Sequence, residues 1–456
     1  MTTIKLDPGA ALLLDALHGA GHAAYAVGGC VRDSLLGLAP HDWDLCTSAR
    51  PEQVMELFGE EKCIPTGLQH GTVTVKQGGR LYETTTFRTE GAYSDGRHPD
   101  AVCFVPDVRE DLARRDFTIN AMAYSAEEGL IDPFGGRDDL AAHLVRAVGE
   151  PERRFEEDAL RILRLYRFAA RFGFAIDPAT GAAARALGPH LDCVSAERIQ
   201  EELLKLLAAP RPGSYLEPAV LAVVLPELEP EKQPERFAEL CRTIDRIEPT
   251  AENVPARLAA LLCPLGEAGA RKALRKLKCS NALTDEVTAL VGGSVGSFLL
   301  PRSRDRRAGS SSEDRPLGWD PAAAGSRAGD GMARFASEEE APGTPGSEMQ
   351  LTAKRLLGRF ELPTIQRLTA LCSARHPEQA EAFAALRAEA EQLTAENACC
   401  RVSQLAVNGR DLMAAGVRPG PGLRQVLNAL LEAVITGQTP NEKDALLAAA
   451  AQFSAS

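Results

Sequence analysis

Near residue 150 the hydrophobic pattern changes period, and this change decides most of what the chain can become. Up to about Ala147, short β-branched or apolar runs bounded by Gly, Pro or charge alternate with helical stretches. Ala23–Val27, Gly71–Lys76, Arg80–Thr86, Ala101–Val105 and Leu144–Val148 read as strands. Gln77-Gly78-Gly79 between two of them signals a hairpin, so part of the sheet must be antiparallel. From about Pro151 strand signals stop. Phe155, Leu160, Leu163, Phe168 and Phe172, then Ile199, Leu203, Leu206 and Leu207, recur at three- and four-residue spacings, as amphipathic helices require. The fold class is α+β, a head with a mixed sheet followed by an all-helical remainder.

One stretch breaks the helical part. Residues 301–348 hold seven Gly, five Pro and seven Ser but no Ile, Val or Lys, too little apolar surface to offset the entropy of ordering. It is expected to be a disordered insertion, with helix resuming near Leu351. The 456 residues then divide into a head over 1–148, a helical neck over 149–210, a body over 211–300 and 349–400, and a tail over 401–456.

The 63 acidic and 51 basic residues give a formal net charge of −12, so any nucleic-acid partner must meet local basic patches or metal ions that offset acidic clusters. The 11 cysteines are scattered and form no C-x-x-C pair, which points to reduced thiols rather than a thiolate zinc site. No window approaches the roughly 20 apolar residues of a membrane span, and a cytoplasmic location is expected.

The densest chemical signal is Val27-Gly28-Gly29-Cys30-Val31-Arg32-Asp33 followed by His41-Asp42-Trp43-Asp44. The first part reads as strand, glycine turn and helix start, where backbone amides can approach a phosphate. In extended chain, Asp42 and Asp44 point to one face roughly 7 Å apart and can converge on divalent ions, with Trp43 packed behind. Each feature alone is ordinary. Together, Gly28, Gly29 and Arg32 at a triphosphate and Asp42 and Asp44 at Mg²⁺ form the arrangement for attack of a hydroxyl on an α-phosphorus.

G-G-x-V-R-D followed by D-x-D resembles the class II tRNA nucleotidyltransferases, the CCA-adding enzymes and bacterial poly(A) polymerases. Arg114-Arg115-Asp116-Phe117-Thr118-Ile119-Asn120 is similar to the family's second motif, which implies nucleotide and ribose contacts for Arg115 and Asp116. Asp132-Pro133-Phe134-Gly135-Gly136-Arg137 matches a third element of structural, hinge-like character. Glu157-Asp158-Ala159-Leu160-Arg161, continuing to Arg164 and Arg167, matches the element that reads the incoming base. Placed one helical turn apart, Asp158 and Arg161 offer an acceptor beside a donor, which suits cytosine and adenine and opposes uracil and guanine. Glu157 is expected to orient Arg161, while Arg164 and Arg167 complete the nucleotide-binding set.

The resemblance implies a polymerase-β-like nucleotidyltransferase head with an elongated helical neck, body and tail. It also implies Mg²⁺ as cofactor, CTP and ATP as substrates and tRNA as partner. Residues 87–100 resemble the loop that switches C to A addition, and Glu83 is a candidate third metal-proximal carboxylate. Ser195 reads as the N-cap of a neck helix. Arg271 to Lys278, with five cations, is a candidate for binding tRNA phosphates, and 405–411 with 419–422 resemble the tRNA-holding tail. A poly(A) polymerase, a CC-adding or A-adding relative, and a catalytically silent RNA-binding protein of the same fold are the alternatives.

Overall fold

The computed structural model describes residues 3–90, 102–295 and 345–453, which fall into two compact units, 1–295 and 296–456. The first begins with helix α1 (Pro8–Gly19), strand β1 (Ala24–Val27), helix α2 (Gly29–Leu35), strand β2 (Leu45–Thr47) and helix α3 (Pro51–Phe58). Strands β3 (Cys63–Gly67), β4 (Thr72–Gln77), β5 (Arg80–Thr86), β6 (Arg88–Glu90) and β7 (Val102–Phe104) follow, then α4 (Val108–Ala113), β8 (Ala123–Ser125), β9 (Gly129–Ile131), α5 (Gly136–Ala141) and β10 (Leu144–Val145). The main sheet runs β3-β4-β5-β2-β1-β8-β9. Only β2 and β5 pair in parallel, so the sheet is mixed as expected.

The hairpin closes on Gly78-Gly79 alone, with Gln77 opposite Arg80, and both glycines take positive φ, as the tightest hairpin turns require. Expected Leu144–Val148 shrinks to a two-residue strand, paired in parallel with β11 (Ala175–Ile176). Tyr25, Val27, Cys46, Phe87, Leu112, Ala121 and Ala123 bury together in one head core.

The neck begins with α6 (Pro151–Glu157) and α7 (Leu160–Phe172), followed by α8 (Pro178–Ala186) and α9 (Ala196–Leu207). Helices α10 (Pro218–Val224), α11 (Pro234–Arg246), α12 (Val254–Leu262), α13 (Gly266–Lys276) and α14 (Asn281–Val295) complete the unit. Ser195 stands at the N-cap of α9, as expected, without a capping side-chain bond. Arg257, fully buried on α12, gives Leu207 and Ala209 carbonyls at the end of α9 the donors their helix no longer supplies.

The second unit contains α15 (Pro345–Arg359), α16 (Leu362–Arg375), α17 (Ala380–Ala395), α18 (Gly409–Ala414), α19 (Pro421–Ile435) and α20 (Lys443–Phe453). Helix resumes at Pro345, six residues before the expected Leu351; the rest of the expected insertion lies outside the described residues. Asn408 caps α18 through Arg410 and Asp411 N–H groups, and Leu405, Val407, Leu412, Val426, Leu430 and Leu446 form the tail core. Among the described residues no helix is long and apolar enough to cross a membrane.

Candidate active site

Strand β1 ends at the glycine turn, and its last N–H, from Val27, bonds the Asp44 carbonyl at 3.0 Å. That bond sets the acidic segment directly beside the turn. Asp42 and Asp44 precede β2, in chain without regular secondary structure, rather than lying on a strand; Trp43 between them is buried, while both acids are exposed. Because β2 pairs in parallel with β5 and Leu45 faces Thr84, Glu83 falls beside Asp44. Desolvation by the packed surroundings, with the charges of Glu83 and Asp42, pushes the Asp44 carboxyl up to about 6 against the pull of Arg115.

Gly28 takes φ +76, and a Cβ there would stand 2.8 Å from Arg115 Nη1, so only glycine lets that guanidinium lie against the turn. Arg115 donates to Asp111 at 3.3 Å, and among the described residues its buried Nε has no partner. Arg32 is buried. It donates to Asp33 at 2.8 Å and to the Asn120 carboxamide, and lies over the rings of Phe168 and Phe172 at 5.2 and 4.9 Å. A Cβ on Gly29 would meet that guanidinium at 3.6 Å.

The role of Asn120 is not visible in the sequence. Its oxygen takes Arg32 and its amide donates to Asp116 at 3.0 Å, so it couples the glycine turn to the second motif. Asp116 is buried and accepts from Arg164 Nε and Nη2 at 2.8 and 2.5 Å. Burial would raise its carboxyl, but Arg164 and Asn120 hold it well below the usual range. With both oxygens engaged, a ribose contact by Asp116 requires one of these bonds to open.

On the neck, Arg161 Nη1 bonds Glu157 at 2.8 Å and Nη2 bonds the Arg114 carbonyl at 3.0 Å. Glu157 also takes Arg154 at 2.5 Å, beside a cavity of about 360 Å³ bordered by Thr89, Arg114, Phe134, Arg153 and Arg154. Asp158 departs from expectation. It is not helical but extended, at φ −146° and ψ 102°, and breaks the chain between α6 and α7. Its carboxylate pairs with Arg198 of α9 at 2.8 Å, a residue whose sequence context suggests only a supporting helix. Arg167 pairs with Glu202 at 2.5 Å and stacks 3.9 Å above Phe168.

Residues 114–120 therefore bridge the two halves of the expected site: Arg115 borders the turn and Asp44, Arg114 receives Arg161, and Asp116 receives Arg164. The third element is a brace. Asp132 caps α5 through Gly136 and Arg137 N–H groups, and Thr118 bonds Asp139 at 2.6 Å. Of residues 87–100, expected to form the switching loop, Arg88–Glu90 pairs as β6 with β7, and 91–100 lie outside the described residues.

A family model described as the Poly A polymerase head domain matches residues 24–146, and models of tRNA nucleotidyltransferase domain 2 and of a polymerase A RNA-binding region match 357–450 and 173–232. The CCA-adding enzyme of Limosilactobacillus fermentum is 34% identical over 97% of this chain and 96% of its own. The chain belongs to the CCA-adding enzyme family. The CCA-adding enzyme of Lacticaseibacillus paracasei is 36% identical over 97% of this chain and 95% of its own. The crystal structure of the Bacillus stearothermophilus CCA-adding enzyme in complex with CTP superposes with a TM-score of 0.73 at 31% identity, covering 98% of both chains. Membership makes this chain a nucleotidyltransferase with a polymerase-β-like head, as its motifs implied.

Proposed function

We propose that the protein acts in the cytoplasm, adding C, C and A to the 3′ end of tRNA from CTP and ATP. The observation that carries this is the bridge of residues 114–120, which joins a two-carboxylate edge to the arginine-rich helix α7. The terminal hydroxyl of the tRNA forms a bond to the α-phosphorus, and the bond to pyrophosphate breaks.

Asp42 and Asp44 are the residues that would hold Mg²⁺. Among the described residues no three His, Cys, Asp or Glu side chains cage a metal. Mg²⁺ binds through one or two carboxylates plus substrate phosphates, so Asp42 and Asp44 would supply the protein's share of the ligands. Desolvation raises Asp44 most, and the charges of Glu83 and Asp42 add to it; a hard cation relieves that unfavourable negative charge. When bound, the ion supplies charge neutralisation at the α-phosphate. Glu83 is the neighbour that intensifies this demand.

Arg115, whose Nη1 lies against the Gly28 turn, receives the phosphates, and Arg32 adds positive charge beside Gly29. Asp116 holds Arg164 toward the nucleotide, while Arg167 adds charge along the same helix face. Asp158 and Arg161 read the base edge, with Glu157 fixing Arg161. Incubation with tRNA ending before CCA, before CA and before A, each nucleotide supplied separately, tests the reading. Long A tails without C incorporation would replace it with poly(A) synthesis.

A further inference from the structure

The strongest unassigned feature is what holds Asp158. Arg198 reaches across from α9 and donates Nη1 to Oδ1 at 3.3 Å and Nη2 to Oδ2 at 2.8 Å, a two-pronged grip that fixes the carboxylate plane. The backbone N–H of Leu160 takes a second position on Oδ1 at 3.1 Å. An ionised carboxylate offers roughly four acceptor positions and no donor. Among the described residues three are occupied, and the one left open is on Oδ2.

We infer that Arg198 is a specificity-determining positioning residue: by gripping both oxygens it reduces Asp158 to a single aimed acceptor, matched to the one exocyclic amino group of cytosine or adenine. The inference rests on the functional reading above, in which Asp158 faces the base. Uracil and guanine place a carbonyl oxygen where the amino group should be, and a fixed acceptor cannot turn to avoid it. A loosened carboxylate can. Arg198 touches Asp158 rather than the reacting atoms, so its removal should weaken selection rather than chemistry.

The test compares wild type, Arg198→Ala and Arg198→Lys on tRNA ending before CCA, measuring kcat and KM for CTP and for UTP, alongside thermal melting and tRNA affinity. For Arg198→Ala the CTP-to-UTP ratio of kcat/KM should fall by about tenfold or more, through a raised KM for CTP, with tRNA affinity unchanged. Lysine keeps the charge but not the fork, and should restore only part of the ratio. Uniform loss with all nucleotides, an unchanged ratio, or full restoration by lysine would overturn the inference while leaving CCA addition intact. A wild type that incorporates neither C nor A would instead overturn the functional reading beneath it.

Discussion

Asp44 concentrates the electrostatic tension of the site in one carboxyl. Its pKa is raised in the folded protein, from 3.8 to about 6, so it is the ionised form that opposes folding. The penalty is absent below about pH 4, grows as pH rises, and is complete above about pH 6. A divalent cation that relieves it should therefore raise the melting temperature more at pH 7.5 than at pH 5. Thermal melts with and without Mg²⁺ check this, and the difference between the two pH values should vanish in Asp44→Asn. Removing the exposed partner, Asp42→Ala, should lower nucleotide incorporation by about a hundredfold to a thousandfold with tRNA binding retained. Single-turnover incorporation and a binding titration separate the two effects.

Among the elements, the joint between the second motif and α7 should be the most sensitive. Asp116→Asn leaves Arg164 without its buried anion; since Arg164 is partly solvent-accessible, a loss of about 2 to 3 kcal/mol is expected by urea unfolding. Because folding depresses the Asp116 carboxyl, its contribution is present above about pH 4 and is lost as pH falls, a loss the asparagine variant should not show. Gly136→Ala should cost about 1 to 3 kcal/mol, because the new Cβ would fall 2.2 Å from the Thr118 carbonyl and push the segment that carries Asn120. Legibility followed element length and local chemistry. Arg80–Thr86 could be read in full, since its alternation is long and a Gly-Gly turn fixes its start. Strands β2, β8 and β9, three residues each, are too short to display a period. The glycine turn, the two acids and the arginines of α7 are visible as residue types at spacings. The roles of Asn120 and Arg198 are not, because their partners lie 88 and 40 residues away in sequence. The break at Asp158 is hidden by a helix-compatible string.

At the scale of the molecule, a chain of net charge −12 must bind a polyanion through local patches. Lys272, Arg275, Lys276 and Lys278 are exposed at the end of α13, whereas Arg271 pairs with Asp285 at 2.7 Å. Replacing these four by alanine should weaken tRNA binding and reduce its dependence on salt, by about 0.7 to 0.9 in log–log slope for each phosphate that is no longer neutralised. Binding isotherms over a salt series measure this, and catalysis at saturating tRNA should be preserved. Whether one site selects C and then A is decided by following the tRNA 3′ end at single-nucleotide resolution with CTP alone, ATP alone and both. Two additions are expected with CTP, a third only when ATP follows, and then arrest; extended A tails, or no extension while tRNA binds, would contradict selection by a single site.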